Sequence, residues 1–152
     1  MFCDRGGAVV ESRKRGMRMQ DRYLFKAKRK DDGEWVFGGL SYCEKTNAYF
    51  ITNMGKDHIS YIGFHKEVDS NTICQCTGLK DKNGRVIWEN DIVMTVYDGN
   101  EHIYQVVWDE SELDFKATNG KENYKSNFEY LPCCDEIEIL GNCFDNPELL
   151  EV

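Results

Sequence analysis

Two prolines in 152 residues, and no apolar run near the roughly 20 residues that a membrane-crossing helix needs, mark what this chain lacks. The scarcity of proline argues against an unstructured linker protein. The missing apolar run leaves no membrane-spanning helix to expect. Residues 1–16 have no apolar central block, so the sequence offers no secretory leader and a cytoplasmic protein is expected. No window carries a long amphipathic period, which counts against helical bundles. Beyond residue 30 the chain is also short of positive charge. Residues 31–152 hold nine Lys/Arg against twenty-four Asp/Glu, whereas residues 1–30 hold ten against three. A body this acidic repels phosphate backbones, so direct nucleic-acid binding by it is not expected.

What the chain does have is enough apolar and aromatic content for a packed core, 41% and 12%. Its short strand-like segments lie about ten residues apart, between turn signals. Tyr23, Phe25 and Ala27 alternate with Leu24, Lys26 and Lys28. Asp31-Asp32-Gly33 turns the chain, and Trp35-Val36-Phe37 returns. Gly38-Gly39 permits a bend. Ala48 to Thr52, Ile59 to Phe64 and Val68 to Cys76 continue the pattern. Asn83-Gly84 has the residues of a two-residue hairpin tip, flanked by Leu79 and by Val86 to Trp88. Glu89-Asn90-Asp91 turns into the strand Ile92–Tyr97. Asp98-Gly99-Asn100 then leads to Ile103–Trp108, with Tyr104, Val106 and Trp108 on one face. Asp109 to Glu112 is expected to be a solvated acidic turn, and Asp91 to cap its own turn. Pro147 suits the opening of a short exit helix. The fold class is therefore mainly β, with β-rich α+β as the alternative, and the strands from Ile87 to Leu140, joined by tight turns, suit a small, strongly bent barrel.

Residues 1–19 stand apart from this pattern. A disordered basic arm, an extension from an upstream start codon or added sequence, and a short nucleic-acid-binding arm all remain open readings.

Four ordered motifs carry a family likeness. They are Leu24-Phe-Lys-Ala-Lys-Arg-Lys-Asp-Asp-Gly-Glu-Trp-Val-Phe-Gly38, Cys76 to Val93, Val106-Val-Trp-Asp109 and Ile139 to Leu150. Over about residues 20–152 the chain resembles the YopX-like phage and prophage proteins. Asn90 departs from the glycine usual there, and asparagine is the next-best residue for a left-handed backbone. The resemblance implies a β-rich portion over 20–75, then an SH3-like barrel with a tail over 76–152. It implies phage or prophage origin and supplies no catalytic residues.

No residue pattern points to chemistry. Cys74, Cys76, Cys133 and Cys134 lack the spacing of a structural zinc site, and reduced, mostly buried thiols are the expectation. His58, His65 and His102 are scattered. Asp109, Glu110, Glu112 and Asp114 lack the glycine and terminal glutamate of a calcium loop. Neither catalytic residues, metal nor cofactor are expected. Trp35, Trp88, Tyr97, Tyr104 and Trp108 are the candidates for a partner-binding surface, with core packing as the alternative. The leading expectation is a non-enzymatic module that binds a host or phage protein. An acidic decoy for a basic nucleic-acid-binding groove, and an enzyme whose site the sequence does not reveal, are the alternatives. Oligomeric state is not readable.

Overall fold

The computed structural model describes residues 23–53, 64–119 and 128–151. The expected basic arm, His58 and most of the segment Ile59 to Phe64 lie outside these residues. Among the described residues there is no α-helix, only strands and short 3-10 turns at Ser70–Thr72, Leu131–Cys133 and Pro147–Leu150. The protein is thus mainly β. Its strands form two antiparallel sheets, ordered β4-β3-β2-β1-β5-β6 and β10-β9-β8-β7-β11. The described chain divides into two compact units, 23–76 and 77–151.

The first unit holds β1 (Phe25–Lys28), β2 (Trp35–Cys43), β3 (Ala48–Asn53), β4 (Phe64–Val68) and the start of β5 (Cys74–Lys80). On β1, Ala27 pairs with Val36, and both meet Ile51 and Val68 in the core, while the adjacent Lys26 is buried as well. Gly38 is required by close approach. A side chain there would collide with the Thr52 carbonyl of the neighbouring strand. Cys74 and Cys76 point to one face of β5 and both are buried.

The second unit continues β5 and adds β6 (Val86–Trp88), β7 (Asp91–Tyr97), β8 (Asn100–Asp109), β9 (Asp114–Thr118), β10 (Phe128–Tyr130) and β11 (Glu136–Asn142). Its core is Ile87, Val93, Tyr104, Val106, Ala117 and Leu131, with Ile137 and Ile139 packed against it. β7 and β8 are joined by Asp98-Gly99 alone. Tyr97 pairs with Asn100, and both loop residues have positive φ, 48° and 77°. This is the mirror-image two-residue turn that matches strand twist.

Asn83-Gly84 turns differently from the expectation. Only Gly84 has positive φ, at 80°. The Gly84 N–H donates to Asp81 O at 3.0 Å, and the Asp81 N–H donates to Arg85 O at 2.8 Å. The loop is therefore three residues long, an ordinary tight turn followed by a glycine bulge. An SH3-like barrel would need the outer strands of the second sheet to meet. β10 and β11 lie at opposite ends of its order, and the sheet stays open. The free side of β11 is met by the 81–85 turn instead, with the Lys82 N–H donating to Ile137 O at 2.9 Å.

Candidate functional site

Asp81 is the buried centre of that turn. Its Oδ1 accepts the N–H groups of Asn83 and Arg85, both at 2.9 Å. Its Oδ2 accepts the Ile139 N–H from β11 at 3.1 Å and Arg85 Nε at 3.3 Å. Burial alone would raise its pKa. The backbone donors Ile139, Arg85 and Asn83 outweigh burial and hold it below the ordinary carboxylate value. Both oxygens are thus committed to structure. Arg85 adds a bond from its guanidinium to Ile139 O at 2.6 Å.

The next turn behaves as its residues predict. Asn90 has φ 68°. Asp91 Oδ2 accepts the Trp88 N–H at 2.8 Å, which fixes the entry to β7. Ile92 and Val93 are fully buried.

The acidic turn after β8 is not simply solvated. Asp109 and Lys116 are both buried, Nζ to Oδ2 at 2.7 Å. Asp109 also accepts the Ser111 hydroxyl at 2.6 Å and the Ser111 N–H at 2.8 Å. Lys116 reaches Glu112 at 3.1 Å, and the Tyr130 hydroxyl donates to Glu112 at 2.7 Å. The ammonium lies 4.2 Å from the centre of the Phe128 ring, within cation–π range. The bond from Lys116, then those from Ser111, hold the Asp109 carboxyl far below its usual value. Burial works to lower the lysine pKa, but its two carboxylates leave it above the ordinary value. Asp109 and Glu112 are therefore taken by a lysine, and Asp114 accepts the Phe115 N–H. Among the described residues no group of three or more His, Cys, Asp or Glu side chains is placed to hold a metal ion.

The five aromatic candidates are not gathered into one surface. Trp35 is half-buried in the first unit, with Lys26 Nζ 4.9 Å and Lys28 Nζ 5.4 Å from its ring centre. Trp88 is half-buried, and its neighbour Ile87 is the residue that enters the core. Tyr104 is only 5% exposed and stacks on His102. Tyr97 and Trp108 are 36% and 39% exposed. They stand at opposite ends of β8, beside Asn100 and against Phe115 respectively.

An open patch that contains none of the five aromatic candidates lies on the outer face of β8-β7-β11. Two cross-strand rows form it, Ile103–Met94–Glu138 and Glu101–Val96–Glu136. Directly opposed residues share a face, and neighbouring strands lie about 4.8 Å apart. Ile103 is 41% exposed, Met94 and Val96 are half-buried, and Glu101 is exposed. In the next row Ile92 is fully buried, so the face opens only at this end. Lys82 Nζ spans Glu136 and Glu138 at 3.0 and 2.6 Å. Alternation on β8 could have revealed Ile103, but the neighbouring carboxylates come from a strand that sequence alone cannot align.

A shallow groove of about 380 Å³ runs between residues 79–82 and 131–137. Leu79, Leu131 and Ile137 contribute its apolar lining. Of the polar residues lining it, Asp81, Lys82 and Glu136 are engaged as described. Asp135 accepts the Asp98 N–H at 3.2 Å, Cys134 donates to Glu129, and Lys80 lines it as well.

His65 stacks on Phe50 and bonds Thr52 Oγ1 at 2.7 Å. His102 Nδ1 lies 3.1 Å from Glu129, which also accepts the Cys134 thiol at 3.5 Å. Cys43, Cys74, Cys76, Cys134 and Cys143 are free thiols, whereas Cys133 is disulfide-bonded, against the expectation of reduced thiols.

A family model described as YopX protein matches residues 24–151. No curated protein matches the chain. Among solved structures, the crystal structure of protein EF1440 from Enterococcus faecalis shares 22% identity. That match covers 83% of this chain and 96% of the other, with a TM-score of 0.45.

Proposed function

The chain belongs to the YopX family, and on that premise we propose a phage- or prophage-encoded accessory protein that binds another protein in the host cytoplasm and performs no chemistry of its own. The observation that carries this reading is the surface of the second unit. There Tyr97, Ile103, Trp108 and Leu113 remain exposed on a segment, 77–152, with six Lys/Arg against seventeen Asp/Glu. Exposed apolar side chains on a charged surface are the raw material of a protein interface. An enzyme would need polar groups free to converge on a substrate. The buried ionic groups described, Asp81 and the Asp109–Lys116 pair, are spent on the fold.

The acidic-decoy reading is favoured by the same net charge. It requires contiguous carboxylates on one ridge, whereas Glu101, Glu136 and Glu138 are interleaved with Val96, Met94 and Ile103. Apolar side chains within the patch suit a mixed protein interface better than mimicry of a phosphate backbone.

The test is affinity capture from a bacterial host, with bound proteins quantified by mass spectrometry. Wild type should enrich a protein over an unrelated control of equal charge. The paired Tyr97→Ser and Trp108→Ser variant, or Ile103→Ser on the opposite face of the sheet, should lose it while remaining folded. Equal capture by both variants, or no enrichment above the control, refutes the reading.

A further inference from the structure

The half-open outer face of β8-β7-β11 has a chemistry more specific than protein binding in general. Its middle is apolar, with Ile103, Met94 and Val96 in adjacent rows. Its flanks are anionic, with Glu101 on one side and Glu136 and Glu138 on the other. Glu101 has no cation beside it among the described residues, whereas Glu136 and Glu138 share Lys82. An occupant must therefore bring apolar groups to the centre and positive charge to both edges. We propose that this face docks an extended, arginine- or lysine-bearing segment of a partner protein. Its apolar side chains lie on Ile103, Met94 and Val96, and its cations on Glu101, Glu136 and Glu138. The inference rests on the protein-binding reading and deepens it.

Lys82 gives the proposal a sign. It holds the two β11 carboxylates in the place where a partner's cation would sit, so it competes with that cation. Its backbone N–H, which secures the turn to Ile137, is independent of the side chain. Removing only the ammonium should strengthen binding, an outcome that a purely structural role for Lys82 does not produce.

The probe is a short labelled peptide alternating Arg and Leu, titrated by fluorescence anisotropy at physiological salt. Lys82→Gln should tighten binding roughly three- to tenfold, and Glu101→Lys should weaken it by a similar factor. Glu148→Lys makes the same change of charge on the C-terminal turn and should shift affinity less than about twofold. A peptide with Ser in place of Leu should bind more weakly than the Arg/Leu peptide. The proposal is overturned if Lys82→Gln weakens binding, if Glu148→Lys weakens it as much as Glu101→Lys, or if the Ser peptide binds equally. Self-association abolished by Glu101→Lys would assign the face to a second copy and also overturn it. Circular dichroism on each variant separates lost binding from lost folding. A host partner retained by Glu101→Lys but lost by the Tyr97/Trp108 variant would refute this face and leave the protein-binding reading standing.

Discussion

Asp81→Ala should be among the most damaging single substitutions in the second unit. The carboxylate accepts three backbone N–H groups, from Asn83, Arg85 and Ile139, and truncation leaves them without that acceptor. Hydrogen bonds to a charged group are worth about 1.5–3 kcal/mol each, and they are not additive. The Arg85 guanidinium is half exposed, so its ion pair adds at most about 1 kcal/mol. Water will recover some of the exposed turn donors but less of the Ile139 N–H. The net cost is about 3–5 kcal/mol. Asp81→Asn should cost less, about 1–3 kcal/mol, because one oxygen can still serve Asn83 and Arg85 while the amide turns a donor toward the Ile139 N–H. The pH dependence follows in sign. The folded carboxyl has the lower pKa, so its contribution is complete above the unfolded value of about 3.9. It is lost as pH falls from there through the folded value. Urea unfolding of wild type and both variants at pH 7 and pH 3 checks this. The gap between wild type and Asp81→Asn should narrow at pH 3. An Asp81→Ala variant within about 0.5 kcal/mol of wild type, or a gap independent of pH, would refute the reasoning.

Gly84→Val should cost about 1–3 kcal/mol by chemical unfolding, since a β-branched residue is strained at φ 80°. Ile87→Ala should cost about 2–5 kcal/mol by cavity formation, more than Trp88→Ala, whose indole is only half-buried; the reverse order in paired urea melts would misplace the core. Lys116→Ala should cost about 3–5 kcal/mol, because it strands Asp109 in a buried site. Stability equal to wild type in thermal melts would show that the pair is solvated.

Turns were the most legible part of the fold, because positive φ admits few residues. Asn90 and Asp98-Gly99 stand where the sequence places them. Asn83-Gly84 marks the correct turn with the wrong geometry, since the same dipeptide serves a two-residue loop and a three-residue loop with a bulge. The Asp81 contacts within the turn had a signal, an aspartate two residues before the turn's asparagine. Its bond to Ile139 spans 58 positions and had none. Alternation put Tyr104, Val106 and Trp108 on one face of β8 but did not say whether that face is buried; Tyr104 and Val106 are core residues, whereas Trp108 is 39% exposed. The strand outruns the core there, and Trp108 covers Phe115 at its margin. On β6, three residues are too few to fix the phase of alternation, and it is Ile87, not Trp88, that enters the core. The Asp109–Lys116 pair was hidden because isolated charges in a turn suggest solvent, and only the β8–β9 register brings the two together.

The bond from Ile139 to Asp81 also has a consequence in time. The turn at 81–85 is made early in synthesis, but the strand that completes it is made more than fifty residues later. Until β11 emerges from the ribosome, the side chain of Asp81 can serve only its own loop, and β7 lacks its neighbour on that side. Pairings so distant in sequence close slowly and late. The second unit should therefore not fold progressively as it is made. A nascent chain stalled before residue 136 should remain protease-sensitive, and protection should appear in a single step once Asn142 has left the exit tunnel.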